Sequence, residues 1–141
     1  YGYTMMYREV SEPAYLAQAE NIAKMLLERL PEDGIPYWDF DSPDAPDSQR
    51  DASAGAIIAS SFVELAGYTA DKKLSKELMK MAEKQIRTLA SPEYLAEKDR
   101  NGYFLLKHSV GSYPSNTEVN VPLTYADYYF LEALLRINGK L

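Results

Sequence analysis

The sequence predicts an all-α fold: part of an (α/α)6 barrel of alternating inner and outer helices, with short β-hairpins in the long loops. Three observations carry this. Helical segments of buried and amphipathic type follow one another in turn, which is what concentric shells of helices require. Long connections alternate with short ones. A motif also repeats: Asp33-Gly34 with Tyr37-Trp38 recurs as Asn101-Gly102 with Tyr103-Phe104, the mark of an array of supersecondary units.

Tyr1 to Glu9 reads as the first helix, with Tyr3, Met6 and Tyr7 on one side. It reads as the second half of a helix, so the chain is expected to lack an upstream part. Pro13 opens the second helix, with Ser11 as its cap. Its apolar stripe runs through Leu16, Ala19, Ile22, Ala23, Leu26, Leu27 and Leu30, and Pro31 stops it. Residues 31–50, rich in Pro and Asp, form a long loop of the length that is usually functional or disordered. Ile35, Tyr37, Trp38 and Phe40 argue for order in its first half.

Asp51 caps the third helix, Ala52 to Gly67, which is apolar nearly all round and therefore buried. The fourth, Asp71 to Leu89, is amphipathic, and its Lys-rich stripe is a solvated outer face. A second long connection, 91–121, leads to the last helix, Pro122 to Ile137, apolar on most sides. Short strands are expected in the long loops, at Ile35–Phe40 and Tyr103–Lys107. In this arrangement both long loops gather at one end, beside the N-termini of the inner helices. Free N–H groups and the helix dipole there favour an anionic ligand.

The 141 residues suit one domain, here about two and a half helical hairpins of a toroid. Fifteen Lys and Arg against twenty-one Asp and Glu give −6, which argues against a nucleic-acid or anionic-membrane partner. No apolar run approaches the roughly 20 residues of a membrane span. With no Cys and one His, neither thiolate chemistry nor a zinc site is expected, and no metal or other cofactor is assigned.

Five segments carry a resemblance. They are Tyr1-Gly-Tyr-Thr-Met-Met-Tyr-Arg-Glu, Ile35-Pro-Tyr-Trp-Asp-Phe-Asp, Arg50-Asp-Ala-Ser-Ala, Phe104-Leu-Leu-Lys-His-Ser-Val-Gly-Ser and Leu123-Thr-Tyr-Ala-Asp-Tyr-Tyr-Phe-Leu-Glu-Ala-Leu. In this order they resemble the C-terminal part of unsaturated glucuronyl hydrolases, glycoside hydrolase family 88, to which unsaturated rhamnogalacturonyl hydrolases are related. The resemblance implies an (α/α)6 barrel that removes the terminal 4,5-unsaturated uronic acid from oligosaccharides left by polysaccharide lyases. An acid protonates the double bond, water adds at C5, and the hemiketal collapses to release the sugar. The two Asp residues that do this in the family lie upstream of Tyr1. No catalytic residue is therefore assigned here, and the chain alone is expected to be inactive.

The substrate-binding candidates are Arg50, Asp51, His108, Ser112, Ser115 and Trp38. Arg50 and Asp51 stand at the anionic mouth, or else cap the helix and pair with a loop carboxylate. His108, with Lys107, meets a uronate carboxylate or serves as a structural hydrogen-bond partner. Trp38 stacks on a sugar or plugs the core. Ser112, Ser115 and Thr117 resemble a Ser-x-x-Ser-x-Lys pattern that binds a sulfate or carboxylate in some relatives, with Thr117 replacing the Lys. Asp127, among aromatics, reads as a structural element of its segment rather than as a catalytic acid. The expected partners are an unsaturated uronic-acid oligosaccharide and whatever covers the open faces: the missing N-terminal half of the barrel, or self-association. The rival reading is a non-catalytic helical module that binds carbohydrate or protein, which would need polar capping faces that the first and last helices lack.

Overall fold

A computed structural model describes all 141 residues. The order is α1 (Gly2–Val10), α2 (Pro13–Arg29), α3 (Ala52–Tyr68), α4 (Lys72–Leu89), β1 (Ser109–Ser112), β2 (Thr117–Val121) and α5 (Thr124–Ile137), with a 3-10 turn at Asn101–Tyr103. The helices α1, α3 and α5 form an inner row, and α2 and α4 an outer one. No helix is long and apolar enough to cross a membrane.

The central helix is α3. Its Ala52, Ala56 and Ala59 face a core shared with Ile86 and Leu89 of α4 and with Ala126, Phe130 and Ala133 of α5. Its Ile58, Phe62 and Leu65 face a second core with Ala19 and Ala23 of α2 and Leu74, Leu78 and Ala82 of α4. A helix that feeds two cores has no side left for water, which is why its sequence lacks a polar stripe. The alanine row lets α5 approach closely.

The helix caps differ in one place from the sequence reading. Asp51 caps α3 and Asp71 caps α4, each accepting from backbone N–H groups of the first turn. Ser11, in contrast, does not cap α2. It ends α1 in the left-handed region, at φ 56°, with its N–H on Tyr7 O, so Glu12 takes the N-cap position. A residue closing one helix in that conformation cannot adopt the extended φ that an N-cap needs. The last helix starts at Thr124 rather than Pro122, because Leu123 is still extended.

The strands lie elsewhere than expected. Ile35–Phe40 makes a single bridge, Tyr37 to Arg50, since Pro36 has no N–H to extend a ladder. Tyr103–Lys107 makes one bridge, Leu95 to Leu106. It is preceded by the left-handed run Asn101, Gly102 and Tyr103, which breaks any strand. The hairpin is instead β1–β2, antiparallel, pairing Ser109 with Val121, Val110 with Val119 and Ser112 with Thr117, with an irregularity after Ser109. Alternation in Thr-Glu-Val-Asn-Val turns Val121 toward the core.

Loop 31–50 is fastened to α4. Gln85 Nε2 donates to Gly34 O at 2.8 Å, and Thr88 Oγ1 to Asp33 O at 2.9 Å. Gly34, at φ 81°, lies so close to Gln85 that a side chain there would collide with it.

The faces of α1 and α5 depart most from the buried type expected of inner helices. In α1 only Thr4 is buried. On α5 Tyr125, Tyr128, Leu131 and Leu135 are exposed along one stripe, Tyr128 by 58%. Contiguous apolar exposure of this kind marks a contact surface.

Candidate functional site

The N-terminal ends of α3 and α5 receive both long connections, and Asp51 is the joint. Its Oδ1 accepts from Ser53 N at 2.9 Å, Ser53 Oγ at 2.6 Å and Val110 N at 3.2 Å. Its own N–H donates to Pro36 O at 2.9 Å, and the next N–H, of Ala52, to His108 O at 3.1 Å. One carboxylate thus ties helix, loop and hairpin together. This is the capping geometry that the sequence allowed for Asp51.

Arg50 is also held within the fold. Its guanidinium pairs with Asp33 and lies 4.6 Å from the centre of the Tyr37 ring. Burial pulls its pKa down, but the hydrogen bond and charge of Asp33 outweigh this, so the net shift is upward. His108 Nδ1 meets Asn120 Oδ1 across the hairpin, and its ring stands edge-on to Tyr94 with centroids 6.0 Å apart. The His108 backbone is left-handed, at φ 63°. Arg50 and His108 line one depression of about 220 Å³ with Gln49, Glu93, Tyr94 and Asn120. Burial raises the Tyr94 phenol pKa.

Lys107 takes no part in this depression. Its ammonium donates to Pro92 O at 2.8 Å, beside Glu97 and Arg100 in a separate cleft. Arg50 and Lys107 therefore line separate depressions.

Trp38 stacks on Tyr113 at 4.4 Å between ring centroids and 18° between planes. The pair pins loop 31–50 to the tip of the hairpin. Ser112 ends β1 and Ser115 sits exposed in the turn. These two hydroxyls belong to the Trp38–Tyr113 end of the loop cluster, and neither bonds to Arg50 or His108.

Asp127 turns both carboxylate oxygens to the 105–106 backbone, accepting from Leu105 N and Leu106 N at 2.8 Å each. Two further groups were not singled out in the sequence. Tyr125 stands over the mouth, its phenol pKa raised mainly by burial, beside Ser53, Asp51 and Glu118. At the other end of the inner helices lies a buried ionic cluster. Arg136 Nη2 is 2.9 Å from Glu64 Oε2 and its Nη1 is 3.4 Å from Glu132 Oε2. Arg8 Nη1 reaches Glu64 Oε1 at 2.7 Å, Ser60 Oγ donates to Glu132, and Tyr1 OH donates to Glu132 Oε1 at 2.9 Å. Burial first, and that bond second, push the Tyr1 phenol up to about 12. The signal was available: Glu64 interrupts an apolar helix, and Glu132 and Arg136 are spaced i,i+4 on another.

No protein-family model matches the chain. Over 138 residues, 96% of its length, it is 48% identical to an unsaturated glucuronyl hydrolase of Formosa agariphila, 34% of which it covers. A solved unsaturated glucuronyl hydrolase specific for heparin superposes with a TM-score of 0.94 at 44% identity, over 99% of this chain and 37% of that one. A mutant of the Streptococcus agalactiae enzyme complexed with dGlcA-GalNAc6S superposes with a TM-score of 0.85 at 30% identity, over 97% of this chain and 36% of that one. The chain spans about a third of the length of the curated relatives it matches. Its five helices and one hairpin have the fold of part of an (α/α)6 barrel.

Proposed function

We propose that this chain, which belongs to the unsaturated glucuronyl hydrolase family, glycoside hydrolase family 88, forms the C-terminal part of a glycosidase. The intact enzyme removes a terminal 4,5-unsaturated uronic acid from lyase-generated oligosaccharides. A proton is delivered to C4 of the double bond, water oxygen bonds to C5, and the hemiketal opens to release the remaining sugar. The carboxylates that move these protons lie in the part of the family's fold that this chain does not span, so the chain alone is inactive.

The observation that carries this reading is the 48% identity to the Formosa agariphila hydrolase over 96% of the chain. In this reading the candidate residues take the following parts. Asp51 and Arg50 hold the mouth in shape, and His108 with Asn120 offers hydrogen-bonding groups at its edge. Trp38 with Tyr113 forms an aromatic wall, and Ser112 and Ser115 present hydroxyls near it. The exposed stripe of α5 is covered by the rest of the barrel. A free-standing binding module would present water-facing terminal helices instead.

The test joins this chain to the first two-thirds of the Formosa agariphila hydrolase and supplies an unsaturated glucuronyl disaccharide in D2O. The expected product is a uronate carrying deuterium at C4. Release of sugar without deuterium at C4, or no release, contradicts the proposal.

A further inference from the structure

The outer helix α4 carries a charge opposite to that of the rest of the chain. Its six cations, Lys72, Lys73, Lys76, Lys80, Lys84 and Arg87, stand against Glu77 and Glu83, for a net +4. The chain totals −6, so the remaining residues carry −10. At 3.6 residues per turn the six cations fall on one face, opposite the buried Leu74, Leu78 and Leu89. All six are exposed, and Lys73 alone has an ion-pair partner, Glu77 at 3.8 Å. Exposed helix faces are commonly laced with opposite charges, so an unbalanced row is a surface for an anion outside the helix. From Lys72 to Arg87 the row runs about 22 Å, at 1.5 Å per residue.

The row ends at a cavity. Ala90 follows Arg87 on the same face and lines a cleft of about 740 Å³ with Arg100, Asn101 and Lys107, where Glu97 is the one carboxylate. The Lys107 ammonium is anchored there on Pro92 O, and the Asn101 amide on Leu106 O at 3.0 Å. In the same turn Tyr103 is 83% exposed at φ 69°, the last of three successive left-handed residues. Backbone held in this sparse region concentrates at ligand sites, and the Tyr103 ring offers a flat apolar face with a hydroxyl at its edge.

We propose that α4 and this cleft form a binding track for a linear acidic polysaccharide, apart from the depression lined by Arg50 and His108. The ammonium groups of the row meet anionic groups spaced along the polymer, the cleft takes one sugar, and Tyr103 lies against its apolar face. The choice of a polysaccharide rests on the glycosidase reading, in which the substrate is cut from such polymers. The charge distribution supports it as well. A narrow polymer touches the row alone, whereas a membrane surface or a nucleic-acid duplex would also meet the acidic remainder of the chain. The track holds the enzyme on the polymer from which lyases release its substrate.

The experiment follows the fluorescence anisotropy of fluorescein-labelled polygalacturonate as the chain is added at low salt. Wild type is expected to bind saturably and to release the polymer as sodium chloride is raised. Lys80→Glu on the row and Arg100→Glu in the cleft should each weaken binding about fivefold or more, since one unit charge at about 4 Å in water is worth about that factor. Lys140→Glu changes the net charge equally outside the row and the cleft, and should leave affinity within about twofold. All three side chains are exposed, and melting curves check that the variants fold. Absence of saturable binding by wild type overturns the proposal, as do equal losses in all three variants. Tighter binding of polyuridylate or of phosphatidylserine vesicles than of polygalacturonate at the same ionic strength overturns it too. None of these readouts involves turnover, so a failure of the glycosidase reading shows separately, as absence of turnover in the joined polypeptide.

Discussion

Asp127, in the first turn of α5, holds Leu105 N with one carboxylate oxygen and Leu106 N with the other, both at 2.8 Å. A carboxylate set among aromatics in an apolar helix invites a catalytic reading. Its geometry is that of a clamp, which fixes the chain just before the hairpin to the last inner helix.

Asp127→Asn keeps the shape but can present only one acceptor oxygen to the two N–H groups, and its amide brings a donor where an acceptor stood. Hydrogen bonds to a charged partner contribute about 1.5–3 kcal/mol each. Loss of about 2 kcal/mol in urea unfolding is expected, together with faster amide exchange at Leu105 and Leu106. Unchanged exchange at those two amides would refute the clamp.

Arg136 answers both Glu64 and Glu132, and all three side chains are 8–10% exposed. Arg136→Met leaves Glu132 buried without its cation and Glu64 with Arg8 alone. Breaking a buried pair in this way costs about 3–5 kcal/mol. The triple change Arg136→Met, Glu64→Gln, Glu132→Gln should recover much of that loss, because it removes the stranded charges as well. Equal stability of the single and triple variants would mean that the cluster is not coupled.

Asp71 caps α4 by accepting from Lys73 N and Leu74 N, and these bonds hold its carboxyl below the ordinary carboxylate range. A carboxyl whose pKa is depressed on folding stabilises the native state above its unfolded pKa. That contribution is lost as pH falls through the lower native value. The melting temperature of Asp71→Asn should therefore lie below wild type at neutral pH. The gap should hold down to about pH 4, the unfolded carboxylate value, and close below it. A gap that is constant to the lowest pH would contradict the assignment.

The helices were legible because their periodicity is strong and their stops are chemical. Pro13, Asp51 and Asp71 mark three helix starts directly, and Pro31 marks a stop. The inner character of α3 was legible in the same way, since no polar stripe can be drawn along it. The strands were not. Asp-Gly and Asn-Gly beside aromatics suggested hairpins, but Pro36 and three successive left-handed residues at 101–103 defeat a ladder at those places. The real hairpin depends on Glu118 and Asn120 adopting positive φ, which no propensity reveals. At the candidate site, Asp51 and His108 were chosen by residue type, and the fold brings His108 O to the N–H of Ala52, next to Asp51. The sequence allowed Arg50 a loop carboxylate without naming Asp33, whereas the stacking of Trp38 on Tyr113 joins parts of the chain far apart in sequence, about which local pattern is silent.

The exposed row Tyr125, Tyr128, Leu131 and Leu135 ties these points to function, since a barrel completed by further helices would cover it. Activity is the most direct readout of that completion. The chain is titrated into a separately prepared polypeptide comprising the first two-thirds of the Formosa agariphila hydrolase, and loss of the unsaturated disaccharide's ultraviolet absorbance is followed. Neither polypeptide is expected to act alone, and turnover should rise with added chain until the two are equimolar. Turnover by the 141-residue chain by itself, or none in the mixture when both partners are folded and associated, would contradict it.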